Sequence, residues 1–165
     1  MQKQLNIETF KQKYVDFINE SKTIVISTKD RNGDPFISYA PFVKHEESFY
    51  IFISKISDHY QFIEDNENIY IMLIADESKS PNLFARERAR FQCTSENIGN
   101  ENQDEVFDKF EKIHGLPLMN MLRGIDMSLF KLTPSEGRYV VGFGAAFEVD
   151  LSANKFAHVV VDKNK

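Results

Sequence analysis

The chain has 165 residues, of which 42% are hydrophobic and 27% are charged. This length and balance are typical of a globular domain with a sizeable core, and they exclude a disordered chain. The formal net charge of −5 argues against nucleic-acid binding, which depends on Lys and Arg neutralising phosphates. No run approaches the ~20 apolar residues that cross a bilayer, so we expect no membrane partner.

Cysteine usage and the N-terminal sequence indicate the cellular compartment in which we expect the protein. Cys93 is the only cysteine, so an intrachain disulfide is impossible. The opening MQKQLNIETF lacks the apolar run of a signal peptide, and we therefore expect a cytoplasmic protein. No repeat, low-complexity tract or Pro/Gly-rich linker divides the chain, so we expect a single domain over residues 1–165.

The first part of the chain predicts a helix and then an antiparallel meander. Apolar residues from Ile7 to Ile18 recur at spacings of three and four, and Asn6 can cap that helix. Three runs of strand composition follow, and Asn32-Gly33 suits a tight hairpin turn between the first two. The three strand runs are TIVIST, PFISYAPFV and FYIFIS.

A short helix and two more strands are predicted next. Ser57 can cap a helix over DHYQFIED. The run IYIMLIA is nearly all apolar, so we expect a strand buried on both faces. In LFARERARFQCTS, apolar and basic residues alternate, which predicts a strand with three arginines on one face. Those arginines are Arg86, Arg88 and Arg90.

The C-terminal part predicts two helices and further strands. Val106, Phe110 and Ile113 share one helical face, and Gly115 ends that helix before a second one over PLMNMLR. The remaining runs have strand composition, with Gly142 and Gly144 marking a bend rather than a phosphate loop. These runs are DMSLFKLTP, GRYVVGFGAAFEVD and FAHVVV.

These elements together indicate the fold class. A parallel α/β sheet needs a helix between almost every pair of strands, whereas here the strands come in hairpin-linked groups. We therefore predict an antiparallel α+β protein, mainly β, that forms a barrel with a few flanking helices.

Several separated motifs resemble one family. The runs NGDPFISYAPFV, FYIFIS, DHYQFIEDN and LFARERARF occur in the order seen in the pyridoxamine 5′-phosphate oxidase-like split barrel. Segments SYAPFV, ARER and GRYVVGFGAAF, with Asp126, are similar to the HugZ/HutZ-type haem-utilisation branch. The resemblance covers roughly residues 20–150. It implies an FMN-binding split barrel that forms a homodimer, with flavin mononucleotide in the broad superfamily or haem in this branch bound near the interface.

The resemblance also implies contact residues for the cofactor. Arg86 and Arg88 are candidates for haem propionates or a flavin phosphate, because guanidinium binds both groups bidentately. The alternative is a solvated basic face paired with nearby acids. Further candidates match positions from which oxidase-like barrels hold flavin through hydroxyl, backbone and basic groups. They are Ser38, Tyr39, Ser54, Lys55 and His59.

The resemblance also implies an iron ligand. In haem-degrading relatives, an Asp corresponding to Asp126 has a catalytic role and supports an iron-ligating histidine donated from the extreme C-terminus across the dimer. This chain ends HVVVDKNK, so His158 is the candidate for both cofactor contact and metal ligand. The alternative is a satisfied or solvent-facing His158 and a turn residue at Asp126.

Other candidate residues are predicted to have structural roles. His45 falls in a polar turn and His114 at a helix end, so neither is expected to bind iron. Cys93 lies on the apolar side of its strand and is expected to be a buried, inert thiol. Three functions remain open: haem storage or oxygen-dependent haem degradation, flavin-dependent oxidoreduction, and a non-catalytic barrel that binds a small anion or a partner.

Overall fold

The computed structural model describes residues 6–160, beginning with helix α1 (Ile7–Glu20). The Asn6 side chain accepts a hydrogen bond from the Thr9 backbone N–H, which confirms the predicted cap. Tyr14, Phe17 and Ile18 are buried against the sheet. The predicted amphipathic helix is therefore confirmed.

The strands of residues 6–160 form one antiparallel sheet in the order β3-β2-β1-β4-β5-β6-β7-β8. Because β3 also pairs with β6, the first six strands close into a barrel and the last two extend from it. The predicted antiparallel α+β class is confirmed. The strands are β1 (Thr23–Lys29), β2 (Pro35–His45), β3 (Ser48–Ser54), β4 (Asn68–Ile74), β5 (Arg88–Asn97), β6 (Met127–Gly142), β7 (Ala145–Val149) and β8 (Phe156–His158).

Three further helices lie outside the barrel: α2 (Asp58–Asp65), α3 (Asp104–His114) and α4 (Leu116–Arg123). The Ser57 hydroxyl accepts from the Tyr60 backbone N–H and caps α2 as predicted. Gly115 separates α3 from α4 with φ +87°, a left-handed conformation that favours glycine.

The buried face of α3 differs slightly from the prediction. Val106 and Phe110 are buried, but Ile113 is 40% exposed and Phe107 is buried in its place. Phe107 and Phe110 both pack on Phe52 of β3, which sets the rotation of the helix.

Two strand predictions need correction. Strand β4 buries Ile69, Ile71 and Leu73 inside the barrel but leaves Tyr70 52% exposed, so it is not buried on both faces. The reason is that no helix of the described residues covers its outer face. The two runs DMSLFKLTP and GRYVVGFGAAFEVD are also not separate strands, because their boundary lies inside β6.

Strand β6 continues through Pro134 because the ladder is irregular there. The pairing of β5 with β6 shifts between Phe91 and Cys93, and Cys93 lies opposite Pro134. A proline lacks the N–H that a regular ladder needs, and a bulge tolerates that loss. The predicted bend at Gly142 and Gly144 is the tight turn between β6 and β7, with Gly144 at φ +71°.

The barrel interior is aromatic. Phe91 packs on Phe49, and Phe49 packs edge-on against Phe42. Gly137 makes this packing possible, because a Cβ there would lie 2.4 Å from Phe91 Cδ1 and 2.5 Å from the Arg90 carbonyl oxygen. A second, smaller core lies under α3 and α4. In the part of the chain described, no helix is long and apolar enough to span a membrane.

Candidate functional site

A row of residues crosses the outer face of the barrel, with apolar side chains at one end and cationic side chains at the other. Strand register pairs Tyr39 with Val25, Val25 with Met72, and Met72 with Arg90. Arg90 in turn pairs with Arg138 on β6. Directly paired residues lie on the same side of a sheet, so these five side chains form one continuous strip, here called the outer row.

The apolar end of the outer row is part of a larger exposed patch. Tyr39 is 57% exposed, and its neighbours Ile37 and Tyr70 are 72% and 52% exposed. Contiguous apolar surface of this kind marks an interaction site. The outer apolar patch consists of Val25, Ile37, Tyr39, Tyr70, Met72 and Ile74.

The cationic end of the outer row is incompletely paired. Among the described residues, Arg90 makes no ion pair or side-chain hydrogen bond, and the buried Nε of Arg138 has no hydrogen-bond partner. One terminal nitrogen of Arg138 lies 3.7 Å from the Glu148 carboxylate. This end of the row therefore has guanidinium groups available to an anionic ligand.

Sequence reasoning placed Arg90 on this face but did not assign it to the site, and it missed Arg138. The alternation in LFARERARF was the signal for Arg90. Arg138 has no comparable signal, because its position beside Arg90 depends on the pairing of β5 with β6.

Arg86 does not lie on the strand face where it was predicted. Residues Leu83–Ala85 form a 3₁₀ turn, and the Asn82 side chain caps it by accepting from the Phe84 backbone N–H. Strand β5 therefore begins only at Arg88. Arg88 donates to the Arg86 carbonyl oxygen at 2.7 Å, so the two side chains do not form the predicted pair.

The structure nevertheless places Arg86 near Tyr39, another residue predicted to contact the cofactor. A cleft of about 710 Å³ lies between the end of α1, strand β1 and residues 74–79, and both Tyr39 and Arg86 line it. The Nε of Arg86 donates to the Ala75 carbonyl oxygen at 2.7 Å, which fixes the guanidinium at the wall. We call this space the Tyr39–Arg86 cleft.

A buried phenol lies behind that cleft. Tyr139 donates a hydrogen bond to the carboxylate of Glu87, which also lines the cleft. Burial, and then this hydrogen bond, raise the pKa of Tyr139 well above its ordinary value. Tyr139 therefore stays protonated and ties β6 to the segment that carries Arg86.

Four other predicted residues lie together at the opposite end of the barrel. Lys55 and Asp126 are joined twice: the Lys55 N–H donates to the Asp126 carbonyl oxygen at 2.9 Å, and Lys55 Nζ lies 2.9 Å from Asp126 Oδ1. This bond to Asp126 raises the pKa of Lys55. The Ser54 carbonyl oxygen accepts from the Ser57 hydroxyl at 2.6 Å, and burial lowers the pKa of His59.

Ser38 belongs to neither group. It pairs with Ile26 of β1, whose side chain is buried inside the barrel, so it lies on the inner side of β2. Its hydroxyl oxygen is buried and has no hydrogen-bond partner within residues 6–160. An unpaired buried hydroxyl is uncommon in folded proteins.

His158 lies in the short edge strand β8, opposite Phe147. Its Nε2 is 2.8 Å from the Gly144 carbonyl oxygen, and its ring packs on Phe147 with centroids 5.4 Å apart. A carbonyl only accepts hydrogen bonds, so Nε2 carries the proton and Nδ1 of the neutral ring keeps the lone pair. Nδ1 is thus the nitrogen that can ligate a metal. The last residue of the predicted strand FAHVVV lies outside the described residues.

Asp126 and His158 do not meet within one chain. Asp126 directly precedes β6, whereas His158 pairs through Phe147 with Tyr139 near the other end of that 16-residue strand. At ~3.3 Å per residue, the stretch from Met127 to Tyr139 corresponds to roughly 40 Å. In the described part of the chain, no group of three or more His, Cys, Asp or Glu side chains is arranged to hold a metal ion.

The residues predicted to be structural occupy such positions. Cys93 is buried, and burial raises its pKa to about 12. His45 lies 3.2 Å from the Glu105 carboxylate, at the end of β2 rather than within the turn. His114 stacks on Phe110 at the end of α3.

Comparison with known proteins gives the family. Residues 10–141 match the family model of pyridoxamine 5′-phosphate oxidase. Heme oxygenase HutZ of Vibrio cholerae is 35% identical over 141 residues, which are 81% of this chain and 77% of that protein. The fold agrees with the predicted split barrel.

Two solved structures support the same placement. Campylobacter jejuni ChuZ superimposes with a TM-score of 0.86 at 30% identity, covering 99% of this chain and 68% of that one. The heme storage protein HutZ from Vibrio cholerae superimposes with a TM-score of 0.74 at 30% identity, covering 80% of this chain and 96% of that one. This chain therefore belongs to the HutZ-type haem-utilisation branch of the pyridoxamine 5′-phosphate oxidase-like split-barrel family.

Proposed function

We propose that this chain binds haem on the outer row, for haem storage or for oxygen-dependent haem degradation. The observation that carries the proposal is the outer row itself, where Tyr39, Val25 and Met72 lie beside Arg90 and Arg138. Haem matches these two ends, because its flat macrocycle is apolar and carries two carboxylates at one edge. The names of the relatives, a heme oxygenase and a heme storage protein, support this choice.

The residues present fit such a ligand. Arg90 lacks a partner within residues 6–160, the Arg138 side chain is partly exposed, and guanidinium groups bind propionates through charge-assisted hydrogen bonds. In the proposal these two arginines, with Arg88, hold the propionates, and Tyr39 and Met72 cover the macrocycle. When bound, haem supplies an iron that can activate dioxygen, and the protein contributes binding, orientation and exclusion of water.

His158 and Asp126 enter the proposal only through a second protomer. We assign the iron ligand to His158 Nδ1, with the Nε2–Gly144 hydrogen bond orienting the ring. Because Asp126 lies at the far end of β6, a catalytic Asp126 has to come from the other copy. Since Nε2 already donates to Gly144, that carboxylate would act on His158 through its charge and not through a second ring hydrogen bond. Lys55 neutralises the Asp126 carboxylate and holds it in place.

The homodimer is therefore part of the proposed function. A second copy would cover the part of the outer apolar patch that haem leaves exposed, because Ile37 and Tyr70 would otherwise remain in water. We expect Ile37→Glu to convert a dimer into a monomer in light scattering after size exclusion. Ile56→Lys, at a 90% exposed site outside the patch, is the control and should leave the dimer intact. A wild-type monomer at micromolar concentration would contradict the proposal.

A haem titration tests the ligand directly. We expect hemin to produce a saturable Soret band. Replacing Arg90 and Arg138 together with Gln should weaken binding by at least about a hundredfold, since two charge-assisted bonds of roughly 1.5–3 kcal/mol each contribute about 3–6 kcal/mol. His158→Ala should shift the band and weaken binding. Arg31→Gln, in the turn between β1 and β2, is the matched control. Absence of a saturable Soret band in the wild type would overturn the proposal.

A flavin-dependent oxidoreductase is the second candidate. It is favoured by the family match and by the Tyr39–Arg86 cleft, where Arg86 and Lys79 are basic groups suited to a flavin phosphate. The other positions inherited from flavin-binding barrels are Ser38, Ser54, Lys55 and His59. Tight uptake of flavin mononucleotide in a parallel titration, with loss of uptake in Arg86→Gln, would favour this function over haem binding.

We propose a cytoplasmic protein, supported by a single cysteine that cannot form an intrachain disulfide. We also propose that residues 1–165 form one domain, supported by the single closed sheet that residues 6–160 build.

A further inference from the structure

A groove of about 500 Å³ lies on the other side of the C-terminal end of α1. Its floor includes Phe42 and Val43 of β2, and Ile113 of α3 lies at its edge. Four lysines surround this apolar centre. We call this surface the lysine groove, and its lysines are Lys22, Lys44, Lys109 and Lys112.

The charge of the lysine groove is opposite to that of the chain. The protein carries 25 acidic and 20 basic residues, and two lysines outside the groove, Lys55 and Lys155, form ion pairs. Among the described residues, no carboxylate lies within ion-pair distance of any of the four groove lysines. Glu46 is the one acidic residue among those that line the groove. The residues that line the groove thus carry four positive charges and one negative charge.

The position of the lysine groove suggests why such a charge would be useful. Ser21 and Lys22 line both the lysine groove and the Tyr39–Arg86 cleft, so the two spaces adjoin. Reduction of a bound haem or flavin requires electrons from outside. Within residues 6–160 the one thiol is buried and no metal-binding cluster is present, so this part of the chain offers no redox centre of its own.

We propose that the lysine groove docks an acidic electron-donor protein beside the cofactor site. This inference rests on the proposed cofactor function. In the haem case, one electron passes from the donor's reduced iron–sulfur cluster to ferric haem: the donor is oxidised by one electron, the haem iron is reduced to ferrous, and no bond or proton is exchanged. Carboxylates on the donor would meet the lysines, and its apolar contacts would meet Ile113, which is 40% exposed. Such charge complementarity mainly accelerates encounter and sets specificity.

The test uses the cofactor-free protein, so that docking is measured separately from turnover. The probe is an acidic two-iron–two-sulfur ferredoxin, and its binding is followed by biolayer interferometry between ~50 and ~300 mM NaCl. We expect wild-type binding to weaken steadily with salt. Lys109→Glu with Lys112→Glu should weaken binding at least about tenfold. The control, Lys11→Glu with Lys13→Glu, makes the same charge change on α1 outside the groove and should change binding less than about threefold.

A second double variant, with substitutions outside α3, tests whether a folding defect in α3 explains the loss of binding. Lys22→Gln with Lys44→Gln removes charge from the opposite wall and should also weaken binding, with an unchanged circular dichroism spectrum. Equal binding by groove and control variants, or binding that is independent of salt, would overturn the proposal. Hemin and flavin titrations of the same proteins report on the proposed function separately, because failure to bind either cofactor leaves the binding of ferredoxin measurable.

Discussion

The inner and outer faces of the same strands differ in what they contribute. On β4 and β5 the inward residues Ile71 and Phe91 are at most 1% exposed. Their immediate neighbours Met72 and Arg90 point outward into the outer row. Because side chains alternate along a strand, core packing and the proposed ligand contacts fall at adjacent positions. Substitutions at neighbouring residues should therefore separate stability from ligand binding.

The largest expected difference is in thiol reactivity on β5. Burial raises the pKa of Cys93 to about 12. In Thr94→Cys, the new thiol at the exposed position 94 should keep an ordinary pKa near ~8.5. At pH ~8 its thiolate fraction is then about a thousandfold larger than that of Cys93. We expect iodoacetamide to label position 94 at least about a thousandfold faster than Cys93, as read by mass spectrometry of the peptides. Similar rates at both positions would mean that the inner face opens to solvent.

Removal of an inner aromatic ring should have the largest effect on stability. Phe91→Ala deletes a ring that packs on Phe49 and should lower the free energy of unfolding by about 3–5 kcal/mol. Gln92→Ala, on the outer face, should change it by less than ~0.5 kcal/mol. Urea denaturation measures both changes. Equal losses would contradict the division between the two faces.

A methyl group added at the inner face should have a smaller but clear effect. In Gly137→Ala the new Cβ would meet Phe91 at 2.4 Å and the Arg90 carbonyl oxygen at 2.5 Å, and that backbone oxygen cannot move freely. We expect a loss of about 1–3 kcal/mol by urea denaturation. Gly142→Ala is the matched control on the same strand, because its Cβ would lie 3.7 Å from Ala145, an ordinary contact.

The smallest predicted effect concerns α2, near the Lys55–Asp126 pair and away from the outer row. Burial lowers the pKa of His59 below its ordinary 6.5, so the unfolded chain takes up the proton first. Stability contributed by the neutral ring is therefore present above pH ~6.5 and is lost as the pH falls from there to the folded pKa. His59→Gln should flatten this part of the stability profile in urea titrations at different pH values. An unchanged slope would show that other groups cause it.

Elements with local signals were predictable from sequence. Asn6 and Ser57 cap helices, Gly33 turns the first hairpin at φ +82°, and Gly115 ends α3. Each signal depends on hydrogen bonds or backbone angles within a few residues. For the same reason, the meander β1–β2–β3 followed from the residues of its own strands and turns.

Features that depend on distant pairings could not be predicted in this way. Arg138 joins Arg90 only through the register of β5 with β6. The separation of Arg86 from Arg88 follows from the Asn82 cap, which competes locally with the alternation that suggested a strand. Likewise, the distance between Asp126 and His158 is a property of the full length of β6, which Pro134 does not interrupt.

Closure of the barrel by β3 and β6 has a consequence for synthesis of the chain. Phe49 pairs with Leu132, so β3 gains its second neighbour only after α3, α4 and the start of β6 have been made. Until then the edge of β3 and the apolar inner face of the meander remain unpaired on the nascent chain. Such edges are templates for intermolecular pairing, and non-local closure slows folding. Aggregation during translation is therefore expected to begin at the run FYIFIS, and chaperones that bind short apolar segments are expected to hold the chain there.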